Sequence, residues 1–406
     1  MTYLKLAWRN IWRNKRRTII TISAVLFAVL LCTLMRSLLE GVYTHMVDNV
    51  AGFSTGYLQV HKKGYWQEKN IDNSMSFNDS LLHTITNTDD VTAVVPRIET
   101  FALASTGSLT TGVVLTGTDP LRENTITRLQ SKLVEGAMLE ANDRSVLIAA
   151  GLAQKLKLKV NDTLVLMTQG YHAASANGLY PVKGIVKIGS PELNKAMVYL
   201  PLAEAQNLLS LDQHISGISI MIRNSNQLNQ VKQSLQGQLD TTAYEVMDWK
   251  EMLPELDQMI EADGSGHRIM LAVLYVMISF GVFSTVLMML AERKHEFGIM
   301  IAIGMQKHKV LKIVIAETLL LLALGIGLGT LAAWPVLQYF YVHPIQLSGE
   351  LKTVYENYGF EAIIPVSKDF IVFWSQVKAV AVIGLFVLIY PVIHLSRFKL
   401  MQAIRN

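Results

Sequence analysis

Four long apolar stretches constrain this 406-residue chain more than any other feature. They are Thr18–Met35, Ile269–Ala291, Ile313–Tyr341 and Phe370–Leu395. A helix needs roughly 20 apolar residues to cross the hydrocarbon core of a bilayer, and each stretch is near that length. Hydrophobic residues make up 51% of the chain and charged residues 17%, which is too apolar for an ordinary soluble protein. The sequence therefore predicts a membrane protein with four transmembrane helices, at 18–40, 269–291, 313–341 and 370–395.

Basic residues lie on one side of these predicted spans. The first 17 residues contain no acid, and their basic residues are Lys5, Arg9, Arg13, Lys15, Arg16 and Arg17. The segment between the second and third spans and the tail add Arg293, Lys294, Lys307, Lys309, Lys312, Arg397, Lys399 and Arg405. Since basic loops remain in the cytoplasm, the amphipathic segment 1–17, the loop 292–312 and the tail 396–406 are predicted there. Segments 41–268 and 342–369 are then outside, and the net charge of +4 indicates lipid headgroups as partners, not nucleic acid.

The segment 41–268 has the pattern of a folded domain on two helical stalks. Gly41–Val50 continues the first span as a mixed helix. Trp249–Asp263 approaches the second span with apolar residues at helical spacing. We interpret the apolar stripe of this second stalk as a surface that packs against the first.

Two similar strand–helix–strand units lie between the stalks. The first is predicted at Tyr57–His61, Asp79–Thr88 and Val91–Glu99. The second is predicted at Ile218–Ile222, at Asn226–Leu239 with Ser225 or Asn226 as its cap, and at Ala243–Met247. Together they form a split β-α-β pair, about 55–99 and 216–248, with an insertion of about 100–215 between its halves. The fold class is therefore an α+β membrane protein with a large extracytoplasmic domain between helices 1 and 2.

The insertion is predicted to be mostly β-structure. Turn signals separate alternating apolar runs such as Thr163–Met167 and Val182–Ile188. One short helix, Ala149–Leu156, is expected to interrupt the strands.

No motif in the chain indicates catalysis or metal binding. The sequence has no G-x-x-x-x-G-K-[ST] phosphate loop, no H-E-x-x-H and no C-x-x-C. Gly52–Gly56 fits G-x-S-x-G, but a nucleophile elbow needs a strand before the serine, and here a helical stalk precedes Ser54. The scattered histidines lack the spacing of metal ligands. We therefore expect no enzyme activity, no metal and no cofactor in this chain.

The charged stretch Glu292–Lys312, "ERKHEFGIMIAIGMQKHKVLK", separates the second and third spans. As a continuous helix parallel to the membrane it would place one set of residues on the same side, just below the bilayer: Phe297, Met300, Ile301 and Gly304. Gly298 and Gly304 would allow close backbone contact with a partner. If the helix only connects two spans, Gly304→Leu should be neutral or stabilising by up to about 1 kcal/mol. If it docks a partner, the same change should overpack the contact, at a cost of about 1–3 kcal/mol.

The residues from Glu292 to Gly329 resemble the cytoplasmic loop and third span of the FtsX/MacB-type permeases of ABC transporters, the mechanotransmission class. In that family E-R-x-x-E-[IF]-G-[IL]-x-x-A-[IL]-G leads into an E-[AT]-L-L-L span. The matching positions are Glu292, Arg293, Glu296, Gly298, Ala302, Gly304 and Glu317. Similar stretches, among them "RNIWRNKRRTIITI", "VVLTGTDP", "VYLPLAEAQNLL" and "YPVIHLSRFKLMQAIRN", extend the resemblance to nearly the whole chain.

This resemblance implies a permease subunit that pairs with a second permease, either the same chain or a paralogue, and with separate ATPase subunits that hold ATP and Mg. The split β-α-β pair would be the porter domain, and the loop 292–312 would be the coupling helix that docks into the ATPase. Its implied contact residues are Glu292, Arg293, Lys294, Glu296, Phe297, Gly298, Ile301, Gly304, Met305 and Lys307.

Within the family, "STGYLQVHKKGYW" is similar to the lipoprotein-releasing LolC/LolE branch, which implies lipoprotein cargo in a bacterial inner membrane. The loop Gln169–Pro181 falls where such permeases hold a periplasmic chaperone, and a plain exposed loop is the alternative. Its candidate contact residues are Gln169, Tyr171, His172, Tyr180 and Pro181. Two other functions stay open: MacB-like efflux of peptides, toxins or antibiotics, and an FtsX-like anchor that recruits a cell-envelope protein.

Glu317 is an acid about one turn into the third span, where an ionised carboxylate is costly unless it is paired. It either reaches the membrane interface beside Lys312 or pairs with a basic residue of the loop helix. We favour the second arrangement, because rigid transmission of motion needs a tie between the loop and the span.

Overall fold

The computed structural model describes residues 2–13, 15–50, 55–357 and 362–396. The chain divides into two compact units. The helical unit comprises the described residues of Met1–Tyr43, Met259–Ile345 and Ile364–Asn406. The outer unit comprises those of Thr44–Gln258 and Gln346–Ile363.

The helices of the described residues follow one another along the chain. They are α1 Thr2–Arg13, α2 Lys15–Val50, α3 Tyr65–Glu68, α4 Asp79–Thr86, α5 Pro120–Thr127, α6 Ala150–Leu156, α7 Pro191–Asn194, α8 Leu202–Leu209, α9 Leu228–Gln238, α10 Trp249–Met252, α11 Pro254–Glu292, α12 Lys294–Ala302, α13 Lys307–Val342, α14 Glu350–Asn357, α15 Phe370–Val387 and α16 Ile389–Ser396. Four segments are long and apolar enough to cross a membrane: Thr18–Asn49, Pro254–Glu292, Lys307–Val342 and Phe370–Ile393. The prediction of four apolar helices is confirmed.

The strands lie mainly between α2 and α11. They are β1 Leu58–Lys62, β2 Met75–Ser76, β3 Val91–Ser105, β4 Thr110–Thr118, β5 Leu133–Gly136, β6 Val146–Ala149, β7 Thr163–Gln169, β8 Ser175–Val186, β9 Met197–Pro201, β10 His214–Ile215, β11 Gly217–Ile222, β12 Tyr244–Asp248, β13 Ile345–Gln346 and β14 Ile363–Ile364. The large sheet has the order β12-β1-β11-β3-β4-β9-β6-β8-β5, and β7 pairs with both β3 and β8. The pairings β3-β4-β9-β6-β8-β7 therefore close into a ring.

The first four strands of this order form the predicted split β-α-β pair. β1 pairs antiparallel with β11 and β12, and β11 pairs antiparallel with β3. α4 connects β1 to β3, and α9 connects β11 to β12. The insertion between the two halves is rich in strands, as predicted. A large sheet domain between the first and second apolar helices confirms the fold class.

Several local predictions for the outer unit are wrong. The insertion contains α5, α7 and α8 as well as the expected helix α6. The second stalk is interrupted, because α10 ends at Met252 and α11 begins at Pro254. The side-chain cap near α9 is Asn224, which accepts a hydrogen bond from the backbone N–H of Asn226 in a short 3-10 turn.

A buried ion pair lies where the split pair meets the ring. Arg97 on β3 pairs in register with Gly217 of β11 on one side and with Thr118 of β4 on the other. Its guanidinium donates to Glu123 of α5 from Nε at 2.8 Å and from Nη2 at 2.6 Å. Only 3% and 1% of the two side chains are exposed. The pair therefore fixes α5 against the strand shared by both parts of the sheet.

Two glycines allow close packing inside the helical unit. A Cβ atom at Gly325 would lie 2.5 Å from Cβ of Val25, and one at Gly329 would lie 2.8 Å from Cβ of Val29. This G-x-x-x-G face of α13 therefore brings its backbone close to α2, a common arrangement in membrane helix pairs.

Candidate functional site

The predicted coupling segment consists of two helices and a turn, so the expectation of one continuous helix from Glu292 to Lys309 is wrong. α12 ends at Ala302, and Gly304 has a φ of +100°, which a helix interior cannot contain. The N–H of Met305 donates to the carbonyl of Met300 at 2.9 Å, and the N–H of Gly304 donates to that of Ile301 at 3.1 Å. These are the two bonds of a Schellman motif, which needs glycine at the left-handed position.

Gly304 therefore has a backbone role that the sequence analysis did not assign to it. A Cβ atom at this position would meet no described atom within 4 Å. The gain in helix propensity expected for Gly304→Leu requires a helical backbone at this position and therefore does not apply. Leucine is strained at a positive φ, so Gly304→Leu should instead destabilise the protein.

One face of α12 is buried in the helical unit. Phe297 is only 2% exposed and belongs to an apolar cluster with residues of α2, α11, α13 and α15. Met300, Ile301 and Met305 pack against the same cluster. Gly298 is buried as well. The predicted contact residues Phe297, Gly298, Ile301 and Met305 thus hold α12 in place and present little surface to a partner.

The opposite face of α12 presents two apolar side chains that sequence reasoning missed. Ile299 is 44% exposed and Ile303 is 81% exposed. They are four positions apart, so they lie on the same side of the helix end. The predicted residues Lys294 and Lys307 are also exposed, and Lys307 lies in the first turn of α13. Ile299 and Ile303 form what we call the outward face.

A relay of charged side chains ties α12 to two other helices. Arg293, directly before α12, donates from Nη1 to Glu317 of α13 at 2.5 Å and from Nε to Glu296 at 3.0 Å. Arg13, the last residue of α1, also donates to Glu296. Glu317 is 4% exposed, so without a partner its burial would be costly. The four charges link α1, α12 and α13 into one ionic cluster.

The ionic cluster borders a polar cavity of about 230 Å³. Arg13, Glu292, Arg293, Glu296 and Glu317 contribute to its lining. The hydrogen bond from Arg13 lowers the pKa of Glu296, and Arg293 lowers that pKa further against the opposing effect of partial burial. Glu296 therefore stays ionised at neutral pH. Arg13 was not predicted, because it is 283 positions from Glu296 in the sequence.

The second candidate surface, Gln169–Pro181, is only in part the loop that was predicted. Tyr180 and Pro181 lie within β8, and Tyr180 is buried, with its hydroxyl donating to Glu204 at 3.1 Å. Burial and Glu204 raise the pKa of Tyr180. Gln169 ends β7, and the turn holds Tyr171 and His172. The backbone N–H of His172 donates to Asp72 at 2.6 Å, so the turn is fixed.

An apolar sheet face lies beside this hairpin. Phe101 and Leu103 on β3 are 70% and 49% exposed, and Met167 on β7 is 37% exposed. Leu103 is paired in register with Met167, while Leu179 of β8 is 69% exposed and faces Val165 of β7 in register. A groove of about 810 Å³ runs past Phe101, Leu103 and Met167. We call these exposed side chains the apolar face of the outer unit.

Within the described residues, no group of three or more His, Cys, Asp or Glu side chains could hold a metal ion. Ser54, the serine of the G-x-S-x-G match, lies outside the described residues.

Family models identify both parts of the chain. The MacB-like periplasmic core domain matches residues 18–238, more than half of the chain, and the FtsX-like permease C-terminal domain matches residues 268–400. The chain belongs to the FtsX/MacB-type permeases of ABC transporters. It is thus a multi-pass membrane protein of a family of permease components, which are not enzymes.

The individual relatives share only low sequence identity with this chain. This permease is 22% identical over 255 residues to the lipoprotein-releasing system transmembrane protein LolC of Neisseria meningitidis serogroup B, and the match spans 61% of each chain. The extracellular domain of YknZ, a noncanonic ABC-type transporter from Gram-positive bacteria, is 16% identical and covers 47% of this chain and 99% of its own, with a TM-score of 0.35. The periplasmic region of MacB from Actinobacillus actinomycetemcomitans is 15% identical and covers 52% and 96%, also with a TM-score of 0.35. The structural scores are low, and the family assignment rests on the family models.

Proposed function

We propose that this permease relays ATP-driven motion from a separate ATPase subunit to its outer unit, and that it does so to release lipoproteins from the membrane. The observation that carries the first part is the ionic cluster of Arg13, Arg293, Glu296 and Glu317. Three helices joined by charge-assisted hydrogen bonds move together when one of them is pushed. Binding of ATP and Mg belongs to the partner subunit in this proposal.

The outward face of α12 is the proposed docking surface for the ATPase. Interfaces commonly combine an apolar centre with a polar or charged rim. Ile299 and Ile303 supply the apolar centre, and the exposed lysines that flank them in the sequence, Lys294 and Lys307, supply positive charge. The buried face with Phe297 anchors α12, so force on the outward face passes to α13 through Arg293 and Glu317.

Docking at this face requires α12 to be cytoplasmic. The basic residues around it support that orientation, with both termini inside and the outer unit on the far side of a bacterial inner membrane. Single cysteines placed at positions 172 and 307 in a Cys32→Ser background test the orientation. Position 172 should react with an impermeant reagent in intact cells, and position 307 only after the membrane is opened. The reverse pattern contradicts the proposal.

Two observations support lipoproteins as cargo. The relative from Neisseria is named for a lipoprotein-releasing system. The acyl chains of a lipoprotein that leaves the bilayer also need cover from water, and the apolar face of the outer unit offers exposed apolar side chains such as Phe101 and Leu103. A chaperone at the neighbouring hairpin and a second permease would complete the complex.

Release of a radiolabelled lipoprotein from proteoliposomes tests the cargo. Leu103→Asp should reduce release, because it places a charge in the apolar face. Leu121→Asp is the matched control, since Leu121 of α5 is 82% exposed outside that face. Equal release by the native chain and by Leu103→Asp would contradict the role of this face.

Mass spectrometry of the detergent-extracted complex identifies the ATPase and the second permease, and a complex without an ATPase would contradict the relay.

A further inference from the structure

The N-terminal helix α1 has two different apolar sides. Ala7 and Ile11 are 0% and 1% exposed and face the protein. Leu6, Trp8 and Trp12 are 40%, 45% and 49% exposed. The rings of Trp8 and Trp12 pack edge to face, with centroids 5.9 Å apart. One side of α1 is therefore fixed to the protein, and the other presents a pair of tryptophans.

Unpaired positive charge surrounds these tryptophans. Among the described residues of α1 and the start of α2, the basic side chains without a described ion-pair partner are Lys5, Arg9, Lys15 and Arg16. The sequence contains no acidic residue before Glu40. A partner for this surface must bring negative charge and accept aromatic side chains.

The position of α1 along the chain limits what that partner is. α1 ends at Arg13, and the first candidate span begins at Thr18. The hydroxyl of Thr18 donates to the carbonyl of Ile11 at 2.6 Å, which holds the end of α1 at the start of the span. Tryptophan is enriched at membrane interfaces, and basic clusters next to a span attract anionic lipids. Both features point to the membrane surface.

We propose that the exposed side of α1 binds anionic phospholipid headgroups through Lys5 and Arg9, and that Arg13 is shared between a lipid phosphate and Glu296. The Arg13 side chain is 59% exposed although it contacts Glu296, so it presents free donors to the surface. A guanidinium binds phosphate and carboxylate with the same planar donor fork. Lipid and Glu296 therefore compete for one side chain.

Through this competition, an anionic lipid can change the contacts within the ionic cluster. An anionic lipid that draws Arg13 away leaves Glu296 with Arg293 alone, which loosens α1 from α12. The consequence for ATPase coupling rests on the proposed function of α12, whereas lipid binding by α1 does not. A direct measurement of lipid contact separates the two.

Quenching of tryptophan fluorescence by brominated lipids measures that contact in the full chain. The permease is placed in nanodiscs that contain brominated phosphatidylglycerol or brominated phosphatidylcholine in the same proportion. The signal of α1 is the emission lost in Trp8→Phe/Trp12→Phe. We expect phosphatidylglycerol to quench this emission more strongly than phosphatidylcholine. Lys5→Gln/Arg9→Gln should abolish the difference, and Lys62→Gln/Lys159→Gln, which removes the same charge from exposed sites of the outer unit, should keep it.

Glu296→Gln tests the sharing of Arg13. It weakens the competitor, so the preference for phosphatidylglycerol should increase, while Arg13→Gln should reduce it. Equal quenching by both lipids in the native chain would overturn the proposal and leave the basic residues as determinants of topology only. A preference that is unchanged in Glu296→Gln would overturn the competition between lipid and Glu296.

Discussion

Two buried arginine–glutamate pairs of this permease differ in how completely they are enclosed. Arg97 and Glu123 in the outer unit are 3% and 1% exposed, and two guanidinium nitrogens donate to the carboxylate. The side chains of Arg293 and Glu317 in the helical unit are 11% and 5% exposed and border a polar cavity. Arg293 divides its donors between Glu317 and Glu296. Each arginine has a second carboxylate nearby, Glu99 at 3.6 Å from Arg97 and Glu296 at 3.0 Å from Arg293, but only the second pair borders a cavity in which it can rearrange.

The enclosed pair should show the largest effect on stability. Glu123→Gln leaves the Arg97 charge buried without its main carboxylate, and the expected loss in the free energy of unfolding of the outer unit is about 3–5 kcal/mol. Denaturant unfolding of the full chain in detergent measures it. Glu135→Gln, at an exposed position of β5, is the control and should change little. A loss below 1 kcal/mol in Glu123→Gln would remove the contrast between the pairs.

Glu317→Gln should cost less, about 1.5–3 kcal/mol, because Arg293 borders a polar cavity that admits water, whereas Arg97 is enclosed. Its main effect should fall on function: the permease inserts and binds the ATPase, but substrate-stimulated ATP turnover is lost. Turnover is measured with the complex in nanodiscs, and insertion by protease protection. Unchanged stimulation of ATP turnover by substrate would show that the ion pair between Arg293 and Glu317 is not needed for coupling.

His61 is a third buried ionisable side chain, and it has no oppositely charged partner among the described residues. It is 1% exposed, and burial together with Lys69 lowers its pKa to about 3. Because the unfolded chain binds a proton near pH 6.5 and the folded chain does not, stability is lost as the pH falls from about 6.5 towards 3. At pH 5 the expected loss is about 2 kcal/mol relative to pH 8.

Denaturant unfolding at both pH values, with His61→Gln beside the native chain, isolates this contribution. The variant should lose less stability between pH 8 and pH 5. His83→Gln, which changes an exposed histidine of α4, should behave like the native chain. Identical pH dependence in His61→Gln and the native chain would show that other groups dominate.

Gly304 should give the smallest of these stability effects. Its φ of +100° makes Gly304→Leu strained, at a cost of about 1–2 kcal/mol, and Gly304→Asn should cost less because asparagine tolerates left-handed backbone. Thermal unfolding of both variants measures the difference. Equal stability of Gly304→Leu and the native chain would contradict the Schellman ending of α12.

Much of the architecture was predictable, because it depends on local patterns. The length of the apolar stretches predicts the spans, and alternating residues predict β1, β11 and β12 to within about one residue. Closure of the strand ring was not predictable, since it depends on β7 pairing with β3, which is distant in sequence. The end of α12 had a local signal that was overlooked: glycine after an apolar helical run, followed by polar Gln306.

The candidate site was predictable only in part. The family motif contains Arg293, Glu296 and Glu317, and the sequence left two partners open for Glu317. Arg13 could not be assigned, because no local pattern connects it with Glu296. The motif also did not indicate which side of α12 is buried. Phe297 matches the family pattern and faces the core, whereas Ile299 and Ile303 match its two isoleucine-or-leucine positions and are exposed.

Docking of the ATPase on the outward face of α12 is tested most directly by Ile303→Glu. Ile303 is 81% exposed, so the change should leave insertion and folding intact. Leu351→Glu, at a residue of α14 that is 59% exposed, is the matched control. Copurification of the ATPase identified by mass spectrometry is the measurement. We expect Ile303→Glu to lose the ATPase while Leu351→Glu retains it; full copurification with a correctly inserted Ile303→Glu variant would contradict docking at this face.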